Sequence, residues 1–307
     1  MTFELHSSTC RQLSARFSFF SSYSYISQST YSSSHQKHAG IMGIEYSTAK
    51  WLAPASFIYD FAAQQYGLNS TPSMKDINDR NTSFWSPQPY FIGAFFAPQQ
   101  IVQLAWLYRL WKLDANKPKE RAELDQIVNF CPWYILGNVC IGTWMFFWNS
   151  EQLKISNVFV MINSLSQLYF IFNKLGPMNT SSTSSILTHI NAKTFAGIGV
   201  LDFVHNISVA YYKDALPTTA IKVITGAGFA GLAAGSDWIF GGCLVYDLIA
   251  LSVGQATLNN SEWSKMLGGF AVATAGIVGL RNYFIPPYVK EPGYDLTAED
   301  DTFDDRV

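Results

Sequence analysis

The sequence predicts an all-α fold: a polytopic transmembrane helix bundle of about seven spans, with disordered tails at both ends. Composition gives the first reason. Only 14% of the 307 residues are charged while 16% are aromatic, whereas soluble domains run nearer a quarter charged. Distribution gives the second, because charges gather in residues 1–83, 109–125 and after 290, and residues 127–148 and 155–173 hold no Asp, Glu, Lys or Arg. Uncharged stretches of that length match a membrane span rather than a soluble core helix. Aromatic placement gives the third. Trp85 and Tyr90 at one end of the first long stretch answer Trp106, Tyr108 and Trp111 at the other, the spacing of two interfacial belts about 39 Å apart along a helix.

The elements follow in order. Residues 1–50 read as a Ser-rich disordered tail, with Arg11, Arg16 and Lys37 against a single acid, Glu4, in the first forty-one positions. That composition suits an organelle transit peptide, but an Arg-bearing amphipathic face and a secretory apolar core are both missing. A start at Met42 would expose Gly43 in a myristoylation context. Residues 51–67 are apolar but short and interrupted by Asp60, so residues 51–83 read as an interfacial helix followed by a linker.

The transmembrane domain is expected over 84–285, with spans near 85–111, 127–148, 155–173, 191–211, 218–235, 238–256 and 264–283. Pro87 and Pro89 suit the first helix's start, and Pro98 falls inside it. The fifth and sixth spans meet so tightly at Gly235-Ser236-Asp237 that one broken helix, and six spans, is the alternative. The loop with Arg109, Lys112, Lys117, Lys119 and Arg121 is the most basic and is expected in the cytoplasm, which with seven spans puts the N-terminus outside and the C-terminus inside. Sequons at Asn69 and Asn81 fit an external N-terminus. The acidic tail, 286–307, has little to bury.

Residues 220–235 pose a competing reading. Gly226, Gly228 and Gly231 spell the GxGxxG of a dinucleotide-binding turn, with Asp247 near the distance of a ribose-binding carboxylate. The following helix would be apolar on every side, unlike one that covers a parallel sheet in water. In a membrane the same glycines suit close helix packing: Gly226, Gly231 and Gly235 form a small-residue ridge, and Gly269 and Gly276 on the last span a matching one. No dinucleotide is therefore expected. A net charge of -2 without a basic aromatic stripe excludes nucleic acid as a partner, and the four scattered cysteines read as small core residues rather than a metal site. No cofactor is indicated, and no Ser-His-Asp, HExxH or P-loop pattern points to an enzyme.

Ionisable residues at membrane depth are costly and so mark sites. The fourth span offers Lys193, Asp202, His205 and Asn206, with Asp202 and His205 at i and i+3 on one helix face. Asp247 lies mid-span, and Asp237 at a span edge. Asp202, His205, Asn206 and Asp247 are the candidate solute or ion site, with His205 as the titrating relay. Buried hydrogen bonding between helices accounts for the same residues, as it does for Asn129, Asn138, Asn157, Asn163 and Gln167. The expected function is transport of a small solute or ion; the alternative is a seven-helix receptor or ligand-binding sensor without catalysis, and a membrane-embedded enzyme comes third.

Trp85-Ser-Pro87-Gln-Pro89-Tyr90, followed by an aromatic span, resembles the Trp-x-Pro-x-Pro-aromatic signature of the tryptophan-rich sensory protein (translocator) family. That resemblance implies a helical membrane bundle of five helices that binds porphyrins and sterols. The likeness is local, and this chain offers more candidate spans.

Overall fold

The computed structural model describes residues 44–285 and 288–289. The readings of the acidic tail, of the Met42 start and of the Ser-rich tail up to residue 43 lie outside those residues. Among the described residues the elements are α1 (Tyr46–Asn69), α2 (Met74–Arg80), α3 (Pro89–Lys112), α4 (Pro118–Asn149), α5 (Leu153–Asn173), β1 (Met178–Asn179), α6 (Thr183–Tyr211), α7 (Thr219–Ala234), α8 (Trp238–Thr257), α9 (Ser261–Phe284) and β2 (Tyr288–Val289). The two short strands pair in parallel, Met178 with Tyr288. Four helices, α4, α5, α8 and α9, are long and apolar enough to cross a membrane by length and composition, and α7 is a shorter apolar one.

The helices alternate in direction, which side-chain contacts make explicit. Along α3 and α6, Trp106 Nε1 donates to Thr188 Oγ1 at 2.9 Å and Arg109 Nε to Ser184 Oγ at 3.1 Å, while Gln99 Nε2 meets Thr194 Oγ1 further down. The end with Arg109 and Ser184 is the basic end; the other carries the Trp85 segment. α7 and α8 are separate helices. Lys222 of α7 pairs with Glu262 at the start of α9 and Gly226 lies against Phe270, so α7 runs parallel to α9. α8 runs antiparallel to it, with Gly241 against Val278 and Ser252 bonded to Ser264. Asp237 forces the reversal: its carboxylate caps α8 through Phe240 N at 3.0 Å, satisfying a donor that a continuous helix would have bonded internally.

The first helix departs from expectation. It begins at Tyr46, inside the stretch read as tail, and it does not behave as an interfacial helix. Tyr46 Oη bonds to Leu113 O at 2.9 Å near the basic end, Tyr59 Oη meets Thr143 Oγ1 at 3.0 Å midway, and Gly67 sits against Met145 near the other end. α1 therefore lies along α4 for its whole length. Its buried residues are small, Ala49, Ala53, Ser56, Ala63 and Gly67, and its outer face shows Trp51, Ile58 and Phe61. Small residues inward and large apolar ones outward is the pattern of a helix packed in lipid, and short length with one Asp concealed it. Among the described residues, Tyr46 and β2 lie at the same, basic end, whereas seven spans put the two ends on opposite sides.

The Trp85 segment seals the far end. Gln88 N bonds to Ala250 O at 3.0 Å, Gln255 Nε2 reaches Ser83 O at 2.9 Å, Trp263 Nε1 donates to Phe84 O at 2.7 Å, and Trp85 Nε1 donates to Thr225 Oγ1 at 2.9 Å. Loop carbonyls that would be orphaned at a helix junction are thus satisfied by side chains of α8 and α9.

Candidate functional site

A cavity of about 350 Å³ opens beside this segment, between α1, α2, α3, α4 and α6. Gln64 comes from α1, Lys75 from α2, Tyr90 and Phe96 from α3, Trp144 and Trp148 from α4, and Asp202, His205 and Asn206 from α6. The i, i+3, i+4 spacing of the last three puts them on one face of α6, and the same spacing puts Trp144 and Trp148 side by side, ring centroids 5.3 Å apart.

Asn206 is held at both ends of its amide: Trp144 Nε1 donates to its Oδ1 at 2.8 Å, and its Nδ2 donates to Asp202 O at 2.9 Å. His205 is 3% exposed, its ring 5.7 Å from that of Trp148, and its Nδ1 has no hydrogen-bond partner. The Asp202 carboxylate likewise accepts no hydrogen bond among the described residues. Asp202 and His205 thus share the cavity wall without bonding to each other. The Asp202 carboxylate is open to the cavity, while His205 Nδ1 is buried in its wall.

Asp247 does not reach this wall. It is wholly buried on α8, and both carboxylate oxygens lack partners among the described residues. Its neighbour Tyr246 donates to Phe91 O at 2.7 Å, fixing α8 against α3 behind the cavity. Three of the four predicted site residues therefore line one cavity, and Asp247 does not.

Lys193 and Asp237 belong elsewhere. The ammonium bonds to the Asp237 carboxylate and to His189 Nδ1 at 2.8 Å, a buried cluster that ties α6 to the α7–α8 turn.

The glycine ridge divides. At Gly226 a Cβ would lie 2.9 Å from Phe270, and at Gly235 3.1 Å from Phe172, so both are real close contacts. At Gly231, Gly269 and Gly276 it would meet nothing within 4 Å. These three are corrections: they sit on outward faces of α7 and α9. The glycines of GxGxxG lie inside one uninterrupted helix, so their N–H groups are spent on helical bonds and no phosphate-cradling turn forms. The Asn81 sequon is also unsuited to modification, since its side chain is buried and bonds to Ile77 O at 2.9 Å.

Sequence reasoning missed Asp60 and Gln64. Gln64 Nε2 donates to Asp60 Oδ1 at 3.1 Å, and Asp60 packs beside Gly142, where a Cβ would come within 3.2 Å of its Cα. The i, i+4 pair was legible, but only as a break in an apolar run. Gln99, Asn138 and Asn163, scattered through the core, keep an unpartnered oxygen each.

The family model described as TSPO-like protein matches residues 49–281. The chain belongs to the TSPO-like protein family. The match begins within α1 and closes within α9, so it takes in every wall of the cavity and the Trp85–Tyr90 segment. No curated protein and no solved structure matches the chain. Membership together with the apolar helices makes this TSPO-like chain a multi-pass integral membrane protein in contact with the bilayer.

Proposed function

We propose that this TSPO-like chain binds a small, largely apolar solute carrying one polar group in the cavity between α1, α3, α4 and α6. One observation carries the reading: Asp202, His205 and Asn206, spaced for a single helix face, converge on a space walled by Trp144, Trp148 and Phe96. A mostly aromatic cavity with a few convergent polar groups is the usual form of a small-molecule site. The Trp85 segment and α2 lie at its mouth, so the solute enters from the end opposite the basic loop.

Gly93 offers the test. It lines the cavity, and a Cβ there meets nothing within 4 Å, so Gly93→Leu fills the space without displacing backbone. The chain in phosphatidylcholine nanodiscs is titrated with 1-naphthalenemethanol while tryptophan emission is followed. Saturable quenching that disappears in Gly93→Leu supports the reading, and equal quenching in both proteins sinks it.

A second reading, passage of a small ion or solute, is favoured by Asp247. A buried carboxylate with two unpartnered oxygens on α8 extends the polar track deeper into the bundle. Flux into vesicles by correctly inserted Asp247→Asn protein tests it: undiminished flux removes Asp247 from any path.

A further inference from the structure

We infer, resting on the reading of the cavity as a solute site, that its ligand is cationic, a small protonated amine with an apolar body. The polar wall of the cavity is built for a donor with positive charge. Asp202 presents a carboxylate that accepts no hydrogen bond from the described residues. His205 Nδ1 is buried without a partner, so the imidazole packs into the wall rather than offering an open acceptor. Asn206 is fixed in place by one bond at each end of its amide, from Trp144 and to Asp202 O, and carries no charge. What the wall leaves open to a ligand as a charged acceptor is the Asp202 carboxylate.

A second carboxyl stands near the wall: Gln64, which lines the cavity, bonds to Asp60 on the same face of α1. Lys75 is the basic side chain on its wall, and it is exposed at the mouth and engaged by Asp79. A carboxylate at membrane depth with no donor on it is destabilised, and a ligand ammonium is the group that relieves it. An anion would face the same carboxylates with nothing to offset them. The aromatic part suits the same ligand. Trp144 and Trp148 stand next to the acceptors, and their faces attract a cation while their area buries its apolar body. The porphyrin class implied by the local resemblance carries carboxylates of its own and fits this wall poorly.

Three probes that share one ring separate the possibilities: 1-naphthylmethylamine, 1-naphthalenemethanol and 1-naphthoic acid, titrated into the full chain in phosphatidylcholine nanodiscs at pH 7. The amine is expected to bind about tenfold or more tighter than the alcohol, and the acid more weakly than either. Asp202→Asn should bring the amine down to the level of the alcohol while leaving the alcohol unchanged. Asp60→Asn, which keeps the shape of the α1 wall, should narrow the gap in the same direction and serves if Asp202→Asn does not fold. Amine and alcohol binding alike, or a preference untouched by both variants, overturns the cationic assignment while the cavity remains a solute site. Binding of none of the three overturns the cavity reading and the assignment with it.

Discussion

The Lys193 ammonium bonds to the Asp237 carboxylate, and that same carboxylate caps α8 through Phe240 N. One acid thereby ends the α7–α8 turn and anchors it to α6, while His189 Nδ1 takes a further contact from the ammonium at 2.8 Å. With side chains only 13% and 8% exposed, removing one partner strands the other charge. Lys193→Met or Asp237→Asn should each destabilise the bundle by about 3–5 kcal/mol, and Lys193→Met with Asp237→Leu by less than the sum. Denaturant titration in detergent micelles checks this; additive losses would show that the pair is not coupled.

Gly254 and Gly231 should behave oppositely. A Cβ at Gly254 would lie 2.5 Å from Pro87 C and 2.6 Å from Gln88 N, backbone atoms that cannot swing aside. Gly254→Ala should therefore push the Trp85 segment off α8 and cost about 1–3 kcal/mol or more, read as a lower melting temperature and lost tryptophan anisotropy. Gly231→Leu, on an outward face, should stay within about 0.5 kcal/mol of the parent. Equal losses would return Gly231 to a helix contact.

Topology has a direct measure. Asn116 lies in the turn between α3 and α4 at the basic end, and Lys213 follows α6 at the other. Asn116→Cys and Lys213→Cys, each in a background with the native cysteines replaced, should be labelled by a membrane-impermeant thiol reagent from opposite sides of sealed vesicles. A position at Glu45 should label with Asn116→Cys, because Tyr46 bonds to Leu113. Labelling of Glu45→Cys with Lys213→Cys would mean that α1 does not traverse with the others.

α2, at the cavity mouth, should loosen in acid. Ser73 and Asp76 form a capping box, and the bond from Ser73 N at 2.9 Å holds the Asp76 carboxyl below its ordinary value of 3.8. A group with its folded pKa depressed stabilises above its unfolded value, and that contribution is lost as pH falls through the folded one. Amide exchange of residues 74–80 should speed up below pH 3.8, and Ser73→Ala should produce the same change at neutral pH. Unchanged exchange in Ser73→Ala would mean that packing, not the cap, holds α2.

The helical nature of the chain and its membrane class were legible in sequence, because missing charge and helical periodicity are local properties. Asp202, His205 and Asn206 share a face wherever α6 is placed. What that face meets is not local. Trp144 reaches the site because α4 packs on α6, and Gln64 because α1 packs along α4; α1 was read as interfacial because a helix turning small residues inward and aromatics outward inverts the soluble pattern. The ridge in α7 failed for a related reason. Small residues occur on several of its sides, and the spacing of Gly226, Gly231 and Gly235 cannot say which side a neighbour occupies. Composition thus determined the solvent this protein folds in and the shape of its elements, while tertiary packing alone decided which glycines touch, that Asp247 is left off the cavity wall, and that β2 lies at the end where α1 begins. Lipid is apolar on every side of a helix, so hydrophobicity cannot orient its faces; only close contact and buried hydrogen bonds between helices can.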